Sequence, residues 1–124
     1  MTKKVLIVDD EQNIAISVEY LMRREGFDVS VARDGEEGLA MIRSTKPDLV
    51  LLDVMMPKMD GFQVCSAVRA DAALADVRII MLTAKGRDAE VAKGLSLGAD
   101  AYIPKPFSTS DLVSRVNSLM ESKK

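Results

Sequence analysis

Short apolar runs alternate with segments of helical spacing, and this alternation constrains the fold of the 124-residue chain more than any other feature. The runs lie at residues 5–8, 29–31, 49–52, 79–82 and, more weakly, 101–103. Strands that alternate with helices are typical of an α/β domain, in which crossover helices cover both faces of a parallel sheet. We therefore predict one α/β domain with a doubly wound, five-stranded parallel sheet and five helices.

Turn and capping residues place the ends of the helices. The second helix is predicted to follow Asp34, the third to begin at Asp60, and the fifth to be capped by Ser108. The first is expected to end at Gly26, because glycine commonly terminates helices.

The fourth helix, predicted over residues 86–97, has the weakest pattern of the five. Val91 and Leu95 form one thin apolar stripe, while Gly94 and Ser96 lower the helix propensity from within. We expect this helix to be the least stable and the most able to move.

The residue counts exclude several classes of function. The chain has no histidine and one cysteine, Cys65, which excludes catalytic triads with histidine, histidine-ligated zinc, a phosphohistidine carrier and disulfides within the chain. A net charge of −2 offers no positive field to nucleic acid or anionic lipid. No window approaches the roughly 18 apolar residues of a membrane span. We expect a protein of the reducing cytoplasm that binds neither nucleic acid directly nor membrane.

Polar residues follow the apolar runs where the strands are predicted to end. Asp9 and Asp10 follow the first run, Asp53 the third, Thr83 the fourth and Lys105 the fifth. Right-handed crossovers bring the C-terminal ends of parallel strands to one edge of the sheet, where open α/β folds bind ligands. If the first and third strands are neighbours, the five residues share one small cup. Asp53 is expected to be the first residue past the buried strand.

The chemistry of this cup points to phosphoryl transfer. Clustered carboxylates without histidine or cysteine favour Mg²⁺, which is held by few carboxylates and completed by water and phosphate. A carboxylate can also attack phosphorus and form an aspartyl phosphate. We predict Asp53 as the nucleophile, next to the metal held by Asp9 and Asp10. Thr83 and Lys105 are expected to stabilise charge on the phosphoryl oxygens.

Each residue also has an ordinary structural explanation. Asp9, Asp10 and Glu11 suit the positive N-terminal end of the first helix, where acidic caps are common. Thr83 alone fits a strand-end hydroxyl that caps the fourth helix, and Lys105 alone fits a solvated loop lysine. Their joint placement at the ends of the correct strands favours the functional interpretation.

Along its whole length the chain resembles the receiver domain of bacterial two-component response regulators. The matching stretches are VLIVDDE (5–11), DLVLLDVMMPKMDGF (48–62), IIMLTA (79–84) and GADAYIPKPF (98–107). The resemblance implies a flavodoxin-like sheet with strand order 2-1-3-4-5. It implies a phosphoryl group that passes to Asp53 from a sensor histidine kinase or a phosphotransfer protein. It also implies a phosphoacceptor that assists its own phosphorylation and dephosphorylation and is not an enzyme.

Further roles are implied by the resemblance alone. The main-chain carbonyl of Met55 would complete the carboxylate site for Mg²⁺. Thr83 and Tyr102 would form the switch, with Tyr102 turning inward on activation. The peptide bond between Lys105 and Pro106 is implied to be cis, which is plausible because X–Pro bonds adopt cis at low cost.

The output surface implied by the resemblance is the face of the fourth helix, fifth strand and fifth helix. It carries Lys93, Asp100, Asp111 and Arg115, similar to the charged dimer interface of regulators that bear winged-helix DNA-binding domains. Those regulators usually have an aspartate where this chain has Ala101, so such a homodimer is expected to be weaker. Two interpretations stay open: an interface for a second copy or a downstream partner, or a solvated charged surface whose pairs contribute little.

Residues 1–124 are expected to form a single receiver domain with no output domain, either standing alone or cut from a longer regulator. One alternative is a pseudo-receiver that binds partners without being phosphorylated, but such a protein is expected to lack one of the site residues. Another is a magnesium-dependent aspartyl phosphatase. We discount it because Val54 and Met55 supply no general acid–base beside Asp53 and the chain has no room for a cap.

Met55 and Cys65 carry two further expectations. Met55 lies two residues after Asp53, where a polar side chain could orient an attacking water, so we predict that its thioether gives slow loss of the phosphoryl group. Cys65 is interpreted as a small buried apolar residue of the third helix rather than as a reactive thiol.

Overall fold

The computed structural model describes residues 2–84 and 88–122, which form a regular alternation of strands and helices. In chain order the elements are β1 (Lys4–Val8), α1 (Gln12–Arg24), β2 (Asp28–Ala32), α2 (Gly35–Thr45), β3 (Leu49–Asp53), α3 (Gly61–Arg69), β4 (Arg78–Ala84), α4 (Asp88–Ser96), β5 (Ala101–Lys105) and α5 (Thr109–Ser122). A short 3-10 turn at Ala72–Leu74 precedes β4. The five strands are parallel and lie in the order β2-β1-β3-β4-β5. The predicted fold class and strand order are confirmed.

Two apolar layers cover the sheet because alternate residues of each strand face opposite sides. Val5 and Ile7 of β1 pack with buried residues of α1 and α5. Leu6 and Val8 point the other way and pack with buried residues of α2 and α3. Every residue of β3 is buried, as expected for a central strand of a parallel sheet with helices on both faces.

The helix ends follow the local capping signals. The side chain of Asp34 accepts a hydrogen bond from the backbone of Glu37, and Asp60 forms a reciprocal capping box with Gln63. The Ser108 hydroxyl accepts from the backbone N–H of Asp111 at 3.1 Å. These predicted starts are confirmed because each cap depends on residues within one turn.

Each strand extends one or two residues beyond its predicted apolar run at one or both ends, and β4 reaches Ala84, so that Thr83 lies within the strand rather than after it. Asp53 is the last residue of β3, in register with Leu82, rather than the first residue beyond the strand. Strand β5 continues two residues past its predicted end and includes Pro104, opposite Thr83. Proline is tolerated there because β5 is an edge strand, where one side of the backbone needs no partner.

The buried face of α4 also differs. Gly94 is the buried residue of this helix, Val91 is half-buried and Leu95 is 43% exposed, so the predicted stripe is wrong at Leu95. A Cβ added at Gly94 would lie 3.2 Å from Cγ of Met81, which shows how closely the helix backbone approaches β4. The predicted start of this helix at residue 86 lies outside the described residues.

Two further expectations concern burial and membrane association. Cys65 is fully buried in α3, with its thiol 3.7 Å from the carbonyl oxygen of Leu97. Among the helices that the structure describes, none combines the length and the apolar character that a membrane crossing requires.

Candidate functional site

The predicted site residues lie at the C-terminal ends of β1, β3, β4 and β5. Asp9 directly follows β1, Asp53 ends β3, Thr83 lies near the end of β4 and Lys105 ends β5. The chain crosses from β1 to β2 on one side and onward to β3 on the other, so the strand order reverses beside β1. Open α/β sheets bind ligands at this position.

Three carboxylates form a cluster at this edge. The carboxylate oxygens of Asp9, Asp10 and Asp53 lie within 4.8 Å of one another. Asp9 and Asp53 are buried, at 1% and 5% exposure, while Asp10 is exposed to solvent. An all-oxygen donor set that is open on one side fits a hard cation that keeps several waters, as Mg²⁺ does.

Lys105 joins the cluster as its counter-charge. Its ammonium nitrogen lies 3.1 Å from Oδ2 of Asp9, 3.1 Å from Oε1 of Glu11 and 3.2 Å from Oδ1 of Asp53. Burial acts to lower the pKa of Lys105, but the charges of Asp53 and Asp9 outweigh it and hold that pKa above its ordinary value. The lysine is therefore charged and is not a solvated loop residue. The peptide bond between Lys105 and Pro106 is cis, as the resemblance implied.

The carboxyl group of Asp53 is strongly perturbed by these surroundings. Burial, followed by the negative charge of Asp9, raises its pKa from the ordinary 3.8 to about 7, although Lys105 acts in the opposite direction. The cost of the charged form comes from desolvation and from like charge, so a divalent cation beside the same oxygens would reduce it.

The acidic residues after β1 do more than cap α1. Glu11 is the N-cap residue, yet its side chain makes no cap hydrogen bond among the described residues and pairs with Lys105 instead. Asp9 uses one oxygen to accept from the backbone N–H of Glu11 at 2.9 Å and the other to accept from Lys105. The local bond orients the Asp9 carboxylate, and its second oxygen faces the cluster. Sequence reasoning placed Glu11 in the acidic trio but did not identify its link to Lys105.

Thr83 has a hydroxyl group with no partner inside the described part of the chain. The residue is 1% exposed, and its Oγ1 makes no hydrogen bond with any described group. A buried hydroxyl without a partner is costly unless a bound group or water satisfies it. This orphaned donor fits the predicted role of Thr83 as a contact for an oxygen-rich ligand.

Gly61 shapes the backbone under Asp53 and was missed by sequence reasoning as a site residue. A Cβ at this position would overlap the main-chain carbonyl oxygen of Asp53, and the backbone N–H of Gly61 donates to the carbonyl of Val54 at 2.9 Å. The first turn of α3 therefore packs directly on the end of β3. The sequence signal at this position is the Asp60-Gly61 pair, which is typical of a turn. The pair does not show that Gly61 contacts the backbone of Asp53.

A groove of about 360 Å³ opens over the site and gives access to Asp53. Met55 and Glu90 lie on its border, together with Lys105 and Ile14. Met55 is 67% exposed, so its thioether meets solvent at the mouth of the groove. The slow loss of the phosphoryl group predicted for Met55 stays a prediction.

Tyr102 is half-buried and packs against the core layer under α2 and α3. The guanidinium carbon of Arg115 lies 5.6 Å from the centre of its ring, and Nη1 of Arg115 donates to the main-chain carbonyl of Tyr102 at 3.1 Å. The predicted switch residue is thus covered by a predicted interface residue.

The four predicted interface residues occupy different surroundings. Lys93 lies over the ring of Phe62 at 4.5 Å, and Asp111 and Arg115 border a cavity of about 230 Å³ beside β5. Asp100 lies at the opposite edge of the sheet from Asp53. It pairs with Arg69 at 2.8 Å and also accepts a hydrogen bond from a backbone N–H of β4.

Comparison with known proteins gives one consistent family. The family model described as the response regulator receiver domain matches residues 5–117. The alkaline phosphatase synthesis transcriptional regulatory protein PhoP of Bacillus subtilis is 45% identical over 120 residues, which cover 97% of this chain and 49% of that protein. This chain therefore spans about half the length of the curated relative.

Solved structures agree in fold along nearly the whole chain. A CheY-like response regulator receiver domain protein from Methanospirillum hungatei superposes with a TM-score of 0.92 at 30% identity, covering 99% of this chain and 97% of the other. A CheX–CheY complex with BeF₃ and Mg²⁺ from Borrelia burgdorferi superposes with a TM-score of 0.88 at 33% identity, covering 95% of this chain and 89% of the matched chain.

Proposed function

The chain belongs to the response regulator receiver domain family of two-component systems, and we propose that it is a phosphorylation-controlled switch with Asp53 as phosphoacceptor. The observation that carries this proposal is the placement of the buried Asp53 carboxylate against Lys105, with its oxygens within 4.8 Å of those of Asp9 and Asp10. That arrangement combines a nucleophile, a counter-charge and a cation site in one small volume.

In the proposed reaction, a carboxylate oxygen of Asp53 attacks phosphorus of a phosphohistidine on the donor protein. The new O–P bond forms as the N–P bond breaks, and the imidazole leaves with its electron pair. Lys105 and the Thr83 hydroxyl are proposed to contact the phosphoryl oxygens, where charge develops. Bond making at Asp53 requires its ionised form, which Lys105 favours.

The implied metal is Mg²⁺. Asp9, Asp10, Asp53 and the main-chain carbonyl of Met55 would hold it, and it would neutralise charge between the carboxylates and the phosphoryl oxygens. The all-oxygen donor set supports this assignment. Asp9 itself is proposed to stay fixed by its bond to the backbone of Glu11, so that this part of the site is preorganised.

The proposed partners follow from the chemistry. Because these 124 residues include no histidine, they cannot supply the phosphohistidine, and the donor is proposed to be a sensor histidine kinase or a phosphotransfer protein. The chain is proposed to assist its own phosphorylation and dephosphorylation, in the manner of a phosphoacceptor rather than of an enzyme with turnover on other substrates. A single cysteine supports a proposed location in the reducing cytoplasm.

Output is proposed to pass through the face formed by α4, β5 and α5. A ligand at Thr83 of β4 would change the surroundings of Tyr102, which lies on the adjacent strand β5. The guanidinium group of Arg115 lies over the Tyr102 ring. Lys93 and Asp111 would present charge to a downstream partner, an output domain or a second copy. Asp100 is proposed to have a smaller part, since its carboxylate is already paired with Arg69.

One experiment tests the central proposal. The protein is incubated with Mg²⁺ and acetyl phosphate, and intact mass is recorded for wild type, Asp53→Asn and the matched control Asp76→Asn, an exposed aspartate away from the site. One added phosphoryl group is expected in wild type and Asp76→Asn and none in Asp53→Asn. An unmodified wild type, or equal modification of Asp53→Asn, would contradict the proposal.

A further inference from the structure

Met55 is more exposed than the other methionines that the structure describes. Its side chain reaches solvent, with the residue 67% exposed, and it borders the groove that leads to Asp53. The remaining methionines within residues 2–84 and 88–122 are buried or half-buried: Met22, Met41, Met56, Met59, Met81 and Met120. Oxidation of a thioether depends on access to its sulfur, so a dissolved peroxide reaches Met55 first among these.

The cysteine sulfur does not compete with Met55 for peroxide. Cys65 is fully buried, and burial raises the pKa of its thiol, which keeps it protonated. A protonated, buried thiol reacts poorly with peroxides because the thiolate is the nucleophile. Among the described residues, Met55 at the mouth of the groove is therefore the sulfur-containing side chain most open to oxidation.

We propose that Met55 is an oxidation site through which peroxides shorten the lifetime of the phosphoryl group on Asp53, an inference that rests on the proposed function. A lone pair of the Met55 sulfur attacks one oxygen of hydrogen peroxide. An S–O bond forms while the O–O bond breaks, and the departing hydroxide takes up the proton left on the transferred oxygen. The products are the sulfoxide and water, with sulfur oxidised by two electrons and the peroxide reduced by two.

The sulfoxide changes what Met55 offers to water. A thioether sulfur is a weak hydrogen-bond acceptor, whereas oxidation gives a polar, chiral side chain with an S=O oxygen. Hydrolysis of the aspartyl phosphate requires a water aligned with phosphorus, and that water enters through the groove that Met55 borders. An acceptor there orients the water by taking one of its hydrogen bonds, which accelerates hydrolysis about fivefold, the kinetic equivalent of one net hydrogen bond.

The test compares reduced and oxidised protein directly. Wild type is treated with hydrogen peroxide or left reduced, phosphorylated with acetyl phosphate and Mg²⁺, and freed of the donor, and the decay of the adduct is followed by intact mass. We expect peptide mapping to find the sulfoxide at Met55 and the decay to be about fivefold faster. Reduction by methionine sulfoxide reductases should restore the slow decay. Met55→Asn, with a permanent acceptor, should decay faster without peroxide.

Two matched variants separate Met55 from its neighbour. Peroxide should leave the decay rate of Met55→Leu unchanged, because leucine has no sulfur, and should accelerate the decay of Met56→Leu as it does in wild type. A peroxide response that persists in Met55→Leu, or an unchanged decay with Met55 fully oxidised, would overturn the inference while the proposed function stands. A reduced wild type that takes up no phosphoryl group would overturn both.

Discussion

The fold holds the carboxylate of Asp53, the proposed phosphoacceptor, in an unfavourable environment. A fully buried strand delivers its carboxylate to a place with little water and with Asp9 nearby, and Lys105 compensates only in part. Burial and the charge of Asp9, which raise the pKa of Asp53, therefore cost stability when its carboxylate is ionised. The proposed phosphoacceptor role, which requires the ionised form, thus competes with fold stability at this one residue.

The first prediction follows from the sign of that perturbation. The folded-state pKa of Asp53, about 7, lies above the ordinary 3.8, so the folded state binds the proton more tightly than the unfolded state. Wild type therefore loses stability as pH rises from about 4 to 7 through this group. Asp53→Asn does not titrate. In metal-free buffer its advantage in free energy of unfolding should grow over this range and level off at no more than about 4 kcal/mol.

Urea unfolding in EDTA at several pH values measures this difference. Asp76→Asn serves as the control, because this exposed aspartate lies away from the carboxylate cluster and should not reproduce the growing difference. An Asp53→Asn variant that is less stable than wild type above pH 7, or a difference that does not depend on pH, would show that the fold does not strain this carboxylate.

At the level of elements, α4 shows how tertiary packing can fix the position of a helix that has low intrinsic propensity. Its buried residue is Gly94, whose missing side chain lets the backbone approach Met81 closely. Phe62 lies beside the same glycine and carries Lys93 over its ring. Gly94 weakens α4 as an isolated helix, and it also provides the contact that attaches the helix to β4.

The second prediction concerns which substitution in α4 destabilises the protein more, and it is the opposite of what the sequence pattern suggests. Gly94→Val should destabilise the protein by about 1–3 kcal/mol, because its side chain must enter occupied space at Met81. Leu95→Ala should cost less than about 1 kcal/mol, because Leu95 is 43% exposed. Chemical denaturation of both variants measures the comparison. A larger loss of stability for Leu95→Ala than for Gly94→Val would indicate that Leu95 belongs to the buried face of α4, as the sequence pattern predicted.

The elements that sequence could predict are those fixed by local residues. Strand runs and helix caps depend on neighbours within a few positions, so Asp34, Asp60 and Ser108 were assigned correctly. The buried face of α4 depends on Met81, which is distant in sequence, and a helical pattern read without its partner strand favours the larger Leu95.

The candidate site also has features that sequence could predict and features that it could not. Residues that end successive strands could be predicted to meet, because parallel topology forces their ends to one edge. The bond from Glu11 to Lys105 and the contact of Gly61 with the backbone of Asp53 depend on how two loops pack. No spacing in the sequence encodes these contacts, and they became visible only in three dimensions.

At the scale of the whole molecule, the proposed cation site would couple metal binding to fold stability through the carboxylate cluster. The cluster joins strands β1 and β3, with β5 supplying Lys105. A cation that binds only this folded arrangement shifts the folding equilibrium of the entire domain. Occupancy of the site is therefore measurable without phosphorylation.

The third prediction uses that coupling. At a Mg²⁺ concentration about ten times its dissociation constant, wild type should gain about 1.4 kcal/mol and its Tm should rise by about 5 °C. Calorimetry with and without Mg²⁺ measures the shift. Asp10→Asn should lose most of it, whereas Asp76→Asn should keep it, and both replace exposed aspartates. Equal shifts in the two variants would place the cation elsewhere.

The long sequence separation of the site residues has a consequence for synthesis of the chain. Lys105 pairs with Asp9 across 96 positions and with Asp53 across 52. When the first four strands have left the ribosome, every carboxylate of the cluster has emerged with them. Lys105, which lies between these carboxylates in the folded protein, has not. The growing chain therefore holds an incomplete site until β5 emerges and docks. The order of translation thus restricts the proposed phosphoryl transfer to molecules that have finished folding.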